Sequence, residues 1–178
     1  TEGDYTIEEI DTLTGKLVGR PKSATFRTAD LVGLDVLVDV TQNLHQMASH
    51  DESRGAFQVP SLLQRLVDEG RLGQKTGAGF YKKEDGEIKS VDPETLEYTS
   101  AEEEELGDLG RIWKAGGLDD RLRALYEDDS PAGQFFRETT LDLLGYSARR
   151  IGEITDNPAD VDRAIRWGFG WELGPFQT

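Results

Sequence analysis

Cysteine is absent from the 178-residue sequence. That excludes a disulfide-stapled scaffold, a thiolate metal site and a cysteine nucleophile. Long apolar runs are missing as well, and none approaches the roughly 20 residues that a membrane-spanning helix needs. No amino-terminal pattern of basic, apolar and small residues marks a signal peptide, so a soluble, cytoplasmic protein is the expectation. Basic residues are scarce. Lys and Arg number 20 against 35 Asp and Glu, a net charge of −15. A surface of that sign repels phosphate backbones, and nucleic acid is not an expected partner. Lysine is the scarcer base, with seven against thirteen arginines. Acid excess with little lysine suits a salt-rich cytoplasm, where screening relieves self-repulsion; a merely acidic protein is the alternative. The chain is 36% hydrophobic, enough to bury a core.

Helix signals dominate what is present. Thr6-Ile7-Glu8-Glu9 reads as a capping box, with Thr6 and Glu9 reciprocally placed. A second helix is expected to start at Thr28. Its stripe of Leu31, Leu34, Val38, Thr41, Leu44 and Ala48 recurs at three and four residues. Pro60 opens a third helix with Leu62, Leu63 and Leu66 inward, and Gly70 ends it. Gly86 to Tyr98 differs: two short alternating runs flank Asp92-Pro93, which reads as a small hairpin within 86–98 or an irregular connector. Beyond it, Ser100 and Glu103 suggest a capped polar helix, and Leu118 to Tyr126 a further short one. Ser130-Pro131 opens a long helix to about Ile154, with Phe136, Thr140, Leu144, Ala148 and Ile151 as its buried stripe. Asn157-Pro158-Ala159-Asp160 opens the last helix. The fold expectation is an almost all-α chain.

The chain also resembles itself. Thr6 to Thr28 and Asn157 to Thr178 share the order of cap, Asp, Gly and Phe: Asp11 matches Asp162, Gly19 matches Gly170, and Phe26 matches Phe176. Duplication explains this order better than chance. The expected organisation is 1–98 as the back part of a first helical copy, 99–130 as a connector, and 131–178 as the front part of a second copy. The sequence thus reads as a slice of a longer polypeptide.

Three stretches carry a family resemblance: "GRPKSATFRTADLVGLD" (Gly19 to Asp35), "GRLGQKTGAGFYKK" (Gly70 to Lys83) and "DRAIRWGFGWELGPF" (Asp162 to Phe176). Together they resemble the C-terminal domain of 3-hydroxyacyl-CoA dehydrogenases. The double copy resembles the long forms, in which this domain is duplicated and often fused to an enoyl-CoA hydratase module. The resemblance is weakest over Glu84 to Pro131. It implies two helical units of the 6-phosphogluconate dehydrogenase C-terminal-domain-like fold. It also implies a parent enzyme of fatty-acid β-oxidation that oxidises 3-hydroxyacyl-CoA to 3-ketoacyl-CoA with NAD. In the family an upstream Rossmann domain supplies a His–Glu pair and the NAD site, and neither matches a residue here. No catalytic residue and no cofactor are therefore assigned to this chain; NAD belongs to the parent protein. The expected partners are the acyl-CoA substrate together with that NAD domain, and a second copy, as a homodimer or by copy-to-copy packing. A non-catalytic helical scaffold for self-association is the alternative.

The chain's own candidate residues divide into those that fit such chemistry and those that do not. Gly168-x-Gly170-x-x-x-Gly174 departs from the dinucleotide fingerprint by one residue and lacks a preceding strand. In the 70–83 stretch, Lys75-Thr76 comes before the last glycines and a helix precedes the loop. A phosphate loop has the opposite order, so a turn that seats Phe80 and Tyr81 is the better reading. Lys75, Lys82 and Lys83 keep a residual reading as contacts to a CoA phosphate. His45 and His50 sit five apart, off one helical face, and form no metal-ligand pattern. Thr25 and Phe26 face the acyl-CoA or begin a helix with a core aromatic. Thr25, Phe26 and Lys75 are the candidate substrate contacts. If self-repulsion limits stability, the melting temperature rises by several degrees between about 0.05 and about 1 M KCl. A flat or falling melting temperature in that titration contradicts the salt-adapted reading.

Overall fold

The computed structural model describes residues 5–100 and 106–178. These form two compact units. Of the described residues, the first comprises 5–8 and 25–100, and the second 9–24 and 106–178. Among the described residues there are eight α-helices and a small three-stranded antiparallel sheet, so the helical expectation holds with a β addition. The polar helix expected after Ser100 falls largely on residues outside the described ones. Helix α1 (Ile7–Leu13) follows Thr6 directly and contributes Ile7 to the first unit's core.

In the first unit, one expected helix becomes two. Helix α2 (Phe26–Val32) begins two residues before Thr28, and α3 (Leu34–Met47) begins after Gly33. Gly33 has φ 103° and ψ 127°, which is not helical, and the Leu34 amide donates to the Leu72 carbonyl at 3.2 Å. The apolar rhythm runs through this break, so periodicity alone does not reveal it. The buried face of α3 holds Leu34 and Val38, with Leu37 packed beside them, whereas Leu31 and Leu44 are exposed. Helix α4 (Ser61–Asp68) buries Leu62, Leu63 and Leu66 as expected. After it, the Arg71 amide donates to the Leu66 carbonyl and the Gly70 amide to Val67, with Gly70 at φ 72°. This glycine-assisted arrangement satisfies the last carbonyls of the helix. Fully burying a leucine such as Leu34 or Leu66 contributes about 2 kcal/mol.

The sheet is larger than the hairpin expected within 86–98. Strand β1 (Tyr81–Glu84) pairs with β2 (Glu87–Val91), and β2 pairs with β3 (Tyr98–Thr99). The first turn is Asp85-Gly86, both at positive φ, 53° and 87°. An Asp-Gly dipeptide in a two-residue loop matches the right-handed twist of the flanking strands. That turn straddles the start of the 86–98 span, so β1 lies outside the expected hairpin. The second connection is held by the Asp92 carboxylate, which accepts from the Thr95 and Glu94 amides at 2.7 and 3.0 Å. Across it, the Arg65 guanidinium donates to the Pro93 and Glu94 carbonyls, and Arg71 donates to Leu96.

In the second unit, α5 (Leu109–Trp113), α6 (Leu118–Tyr126), α7 (Pro131–Arg149) and α8 (Pro158–Phe169) pack as an α-helical cluster. Leu106, Ile112, Leu122, Leu125, Ala132 and Phe136 are buried there. Helix α7 ends at Arg149, short of Ile154, because the chain turns at Gly152 with φ 85° and Ile154 points out. Ala148, expected inside, is exposed, and Ser147 is buried in its place. Ser130 stands at the amino end of α7 but its side chain does not cap the helix; its amide donates to Asp128 instead. Asn157 caps α8 through its side chain, which accepts from the Ala159 amide at 3.1 Å.

Two predictions follow from this packing. A Cβ at Gly79 falls 2.0 Å from Asp30 Oδ1 and 2.6 Å from Gly73 Cα. Gly79→Ala therefore costs about 3 kcal/mol in urea unfolding, through forced separation and a lost charged hydrogen bond, while Gly55→Ala, in open space, stays within about 1 kcal/mol. On the sheet, hydrogen bonds from Lys82, then Lys89, hold the Glu84 carboxyl at about 2, below its ordinary 4.5. Because the folded value is the lower one, Glu84 stabilises fully above pH 4.5 and loses that contribution as pH falls toward 2. The melting temperature of Glu84→Gln should lie slightly below that of the unsubstituted protein at pH 6, and the gap should close between pH 4.5 and 2. A gap that persists at the acid end contradicts this account.

Candidate functional site

The glycine-rich stretch and the "ADLVGLD" stretch meet at one carboxylate. Asp30, buried on α2, accepts from the Phe80 amide through Oδ1 at 2.8 Å and from the Tyr81 amide through Oδ2 at 2.9 Å. The two carboxylate oxygens thus satisfy consecutive amides where β1 begins. Gly73, at φ 90°, lies so close that a Cβ falls 2.4 Å from the Asp30 carbonyl oxygen. Only glycine permits that approach. Phe80 then packs on Phe26, with ring centroids 4.6 Å apart, and the Tyr98 hydroxyl donates to the Gly79 carbonyl at 2.7 Å. The cluster joins α2, the loop and the sheet. It has no nucleophile and positions backbone.

The sequence candidates lie at two ends of α2. Thr25 is exposed at its amino end, and Phe26 is half-buried against Phe80. Lys75 lies near Gly33 beyond the carboxyl end, on a short 3-10 turn (Gln74–Thr76), and pairs with Asp35. A helix of this length separates the two ends by about 10 Å. The Lys75 hydrogen bond holds the Asp35 carboxyl below its ordinary value, helped by the Val36 amide in the first turn of α3. Lys82 is likewise engaged with Glu84. His45 Nδ1 faces the Arg54 carbonyl, and Arg54 returns a hydrogen bond to the His45 carbonyl at 2.8 Å. Among the described residues no cluster of three His, Asp or Glu side chains gathers as for a metal ion.

The second unit repeats the device. Asp162, buried on α8, accepts from the Phe176 amide at 2.8 Å, and a Cβ on Gly174 falls 2.3 Å from the Asp162 Cα. Gly170 ends α8 in the left-handed conformation, at φ 67° and ψ 26°. A dinucleotide fits a glycine turn at a helix amino end, where amides converge on phosphate. Gly168 and Gly170 lie instead at the carboxyl end of α8, where carbonyls point outward, and no parallel strand leads into them. The same holds for Gly70 after α4. These residues do not fit NAD. Asp30, Arg65, Arg71 and Tyr98 were not singled out from sequence. A buried acid on a helix reads as a polar position until its partners are known, although Asp30 stands inside one of the recognisable motifs.

Residues 1–83 match the family described as 3-hydroxyacyl-CoA dehydrogenase, C-terminal domain. A Bacillus subtilis (strain 168) protein named as a probable 3-hydroxyacyl-CoA dehydrogenase is 43% identical over 176 residues, 99% of this chain and 22% of that protein. The human mitochondrial hydroxyacyl-coenzyme A dehydrogenase is 38% identical over 80 residues, 45% of this chain and 24% of its own length. A Rickettsia felis protein named as a fatty acid oxidation complex trifunctional enzyme is 25% identical over 173 residues, 94% of this chain and 22% of that protein. The chain thus spans about a fifth to a quarter of the length of these relatives. No solved structure matches it. Residues 1–83 thus match the C-terminal domain of 3-hydroxyacyl-CoA dehydrogenases, and nearly the whole chain is similar to one stretch of a Bacillus subtilis protein that bears the enzyme's name.

Proposed function

We propose that this chain is a helical, substrate-covering and association region of a 3-hydroxyacyl-CoA dehydrogenase that uses NAD in fatty-acid β-oxidation. The observation that carries the reading is the Asp30 clamp. It is built from the two family stretches that residues 1–83 contain, and it serves to hold a rigid wall rather than to transfer a proton or hydride. In this reading the nucleotide-binding domain and its catalytic pair lie outside the two units. The glycine turns at helix carboxyl ends support that division, because they offer carbonyls and not amides to a phosphate. Thr25 and Phe26 are then candidates for the surface that faces the acyl-CoA, with Thr25 the exposed member. Lys75 is the weaker candidate, since Asp35 already holds it.

The duplicated character of the chain is part of the proposal. Gly19, at φ 71° and ψ 28°, and Gly170, at φ 67° and ψ 26°, share one left-handed conformation, which supports their equivalence in two copies. A second, self-associating role is favoured by the outer face of α3, where Val36, Val40, Leu44 and Met47 are exposed at helical spacing. The first reading is tested by assaying the 178-residue chain with acetoacetyl-CoA and NADH. No turnover above background is expected, and measurable NADH oxidation contradicts it. The association role is tested by light scattering. A dimer that Val40→Glu converts to monomer is expected, whereas a monomer at all concentrations removes that role.

A further inference from the structure

In the second unit, a basin of about 370 Å³ gathers four cations, Lys16, Arg20, Lys22 and Arg121, with Trp113 on its wall and Glu172 as its acid. This grouping is unusual in a chain with net charge −15. Several cations elsewhere are matched by carboxylates: Lys75 pairs with Asp35, Lys89 with Glu84, Arg111 with Asp128, and Arg163 with Asp160. None of the four basin cations has a carboxylate partner among the described residues.

Their positions are set by the fold. Gly19 and Gly170 form the floor, where the Glu172 amide donates to the Gly19 carbonyl at 2.8 Å. Gly19 is required there, because a Cβ falls 2.5 Å from Leu118 Cδ2. The Arg20 guanidinium lies over the Trp171 ring at 3.8 Å, and burial lowers its pKa to about 10, so it stays charged at neutral pH. Arg121 donates to the Leu17 and Lys16 carbonyls at 3.3 and 3.4 Å and lies over the Trp113 ring. Those two bonds engage Nε and one terminal nitrogen and orient the guanidinium, which carries five N–H donors in all. Lys16 and Lys22 are exposed at the rim.

Helix-end carbonyls do not account for four positive charges. The carboxyl end of α8 at Gly170 supplies about half a negative charge, and Glu172 one more. The surplus is about two and a half positive charges, which suits a diphosphate. Two arginines give planar, paired donors for phosphate oxygens, and two lysines give mobile point charges. The exposed Trp113 face adds a surface on which an aromatic base stacks.

We propose that this basin binds a diphosphate-bearing ligand, with its phosphates between Arg20, Arg121 and the rim lysines. The inference stands independently of the dehydrogenase reading, since it rests on charge and geometry within the second unit.

Isothermal titration calorimetry of the 178-residue chain tests it, using sodium pyrophosphate, adenosine 3′,5′-bisphosphate and coenzyme A, with adenosine as the uncharged control. Saturable pyrophosphate binding is expected. It should weaken at least tenfold in the exposed-rim double variant Lys16→Glu/Lys22→Glu and in Arg121→Gln, and remain unchanged in Lys89→Glu on β2, where the lysine pairs with Glu84. Circular dichroism checks that each variant is folded, and the rim variant carries the test if Arg121→Gln is not. Coenzyme A binding at least tenfold tighter than pyrophosphate supports the proposal and identifies a CoA-like nucleotide as the source. Equal or exclusive binding of pyrophosphate also supports it and identifies a free polyphosphate, which leaves the acyl-CoA reading to its own assay. Absence of binding by every phosphate compound, or equal weakening by Lys89→Glu and the rim variant, overturns it.

Discussion

The first unit depends on one buried carboxylate taking two consecutive backbone amides. Asp30 reaches Phe80 and Tyr81 from α2, fifty residues earlier in the chain. A buried carboxylate without donors is costly, and two amides at a strand start without acceptors are costly too. Brought together, each removes the other's penalty. The geometry works because Gly73 and Gly79 carry no Cβ in the space beside Asp30. Phe80 can then reach Phe26, β1 starts in register with β2, and Tyr98 closes on Gly79. The sheet, though small, is therefore fastened to the helices by side chain to backbone bonds as well as by apolar contact. The arginines of α4 and of the turn after it extend the same strategy to the β2–β3 connection.

Asp162 and Phe176 show a simpler version of the device in the second unit. Both cases use an acid on a helix to hold an amide next to an aromatic, with a glycine admitting the close approach. This arrangement favours rigid walls and fixed helix directions. The charge distribution divides the two units further. Ion pairs on the first unit are exposed and contribute little to stability. The second unit gathers four cations around a single acid, Glu172, with no ion pair to any of them among the described residues, which leaves that surface available for an anion in an otherwise acidic chain.

Legibility varied with the range of the interaction. Helices α4, α6 and α8 are readable because cap, proline and glycine signals act within one or two turns. The recognisable motif stretches are readable for the same reason: each occupies adjacent residues. The Gly33 break was hidden, because an apolar rhythm continues across it while the Leu34 amide is drawn away to Leu72. Strand β1 was hidden by its lysines, although Asp85-Gly86 announces the turn that follows it. The end of α7 was overextended because Ile151 and Ile154 fit the stripe, yet no neighbour covers Ile154. The candidate contacts Thr25, Phe26 and Lys75 come from the motif stretches, and nothing local indicated that Lys75 would be held by Asp35.

Composition and short-range pattern were sufficient for the helical class, the absence of thiol chemistry, the net acidity and the family that the first 83 residues match. These depend on the identities of residues close in sequence, where propensity, capping and turn chemistry operate. Tertiary structure alone decided which acid receives the Phe80 and Tyr81 amides, which lysine is already paired, and which four cations share a basin. Each of those is a pairing across tens of residues, selected by desolvation and close approach once the helices have packed. An isolated aspartate, glycine or arginine in the sequence carries no record of the partner that burial will assign to it.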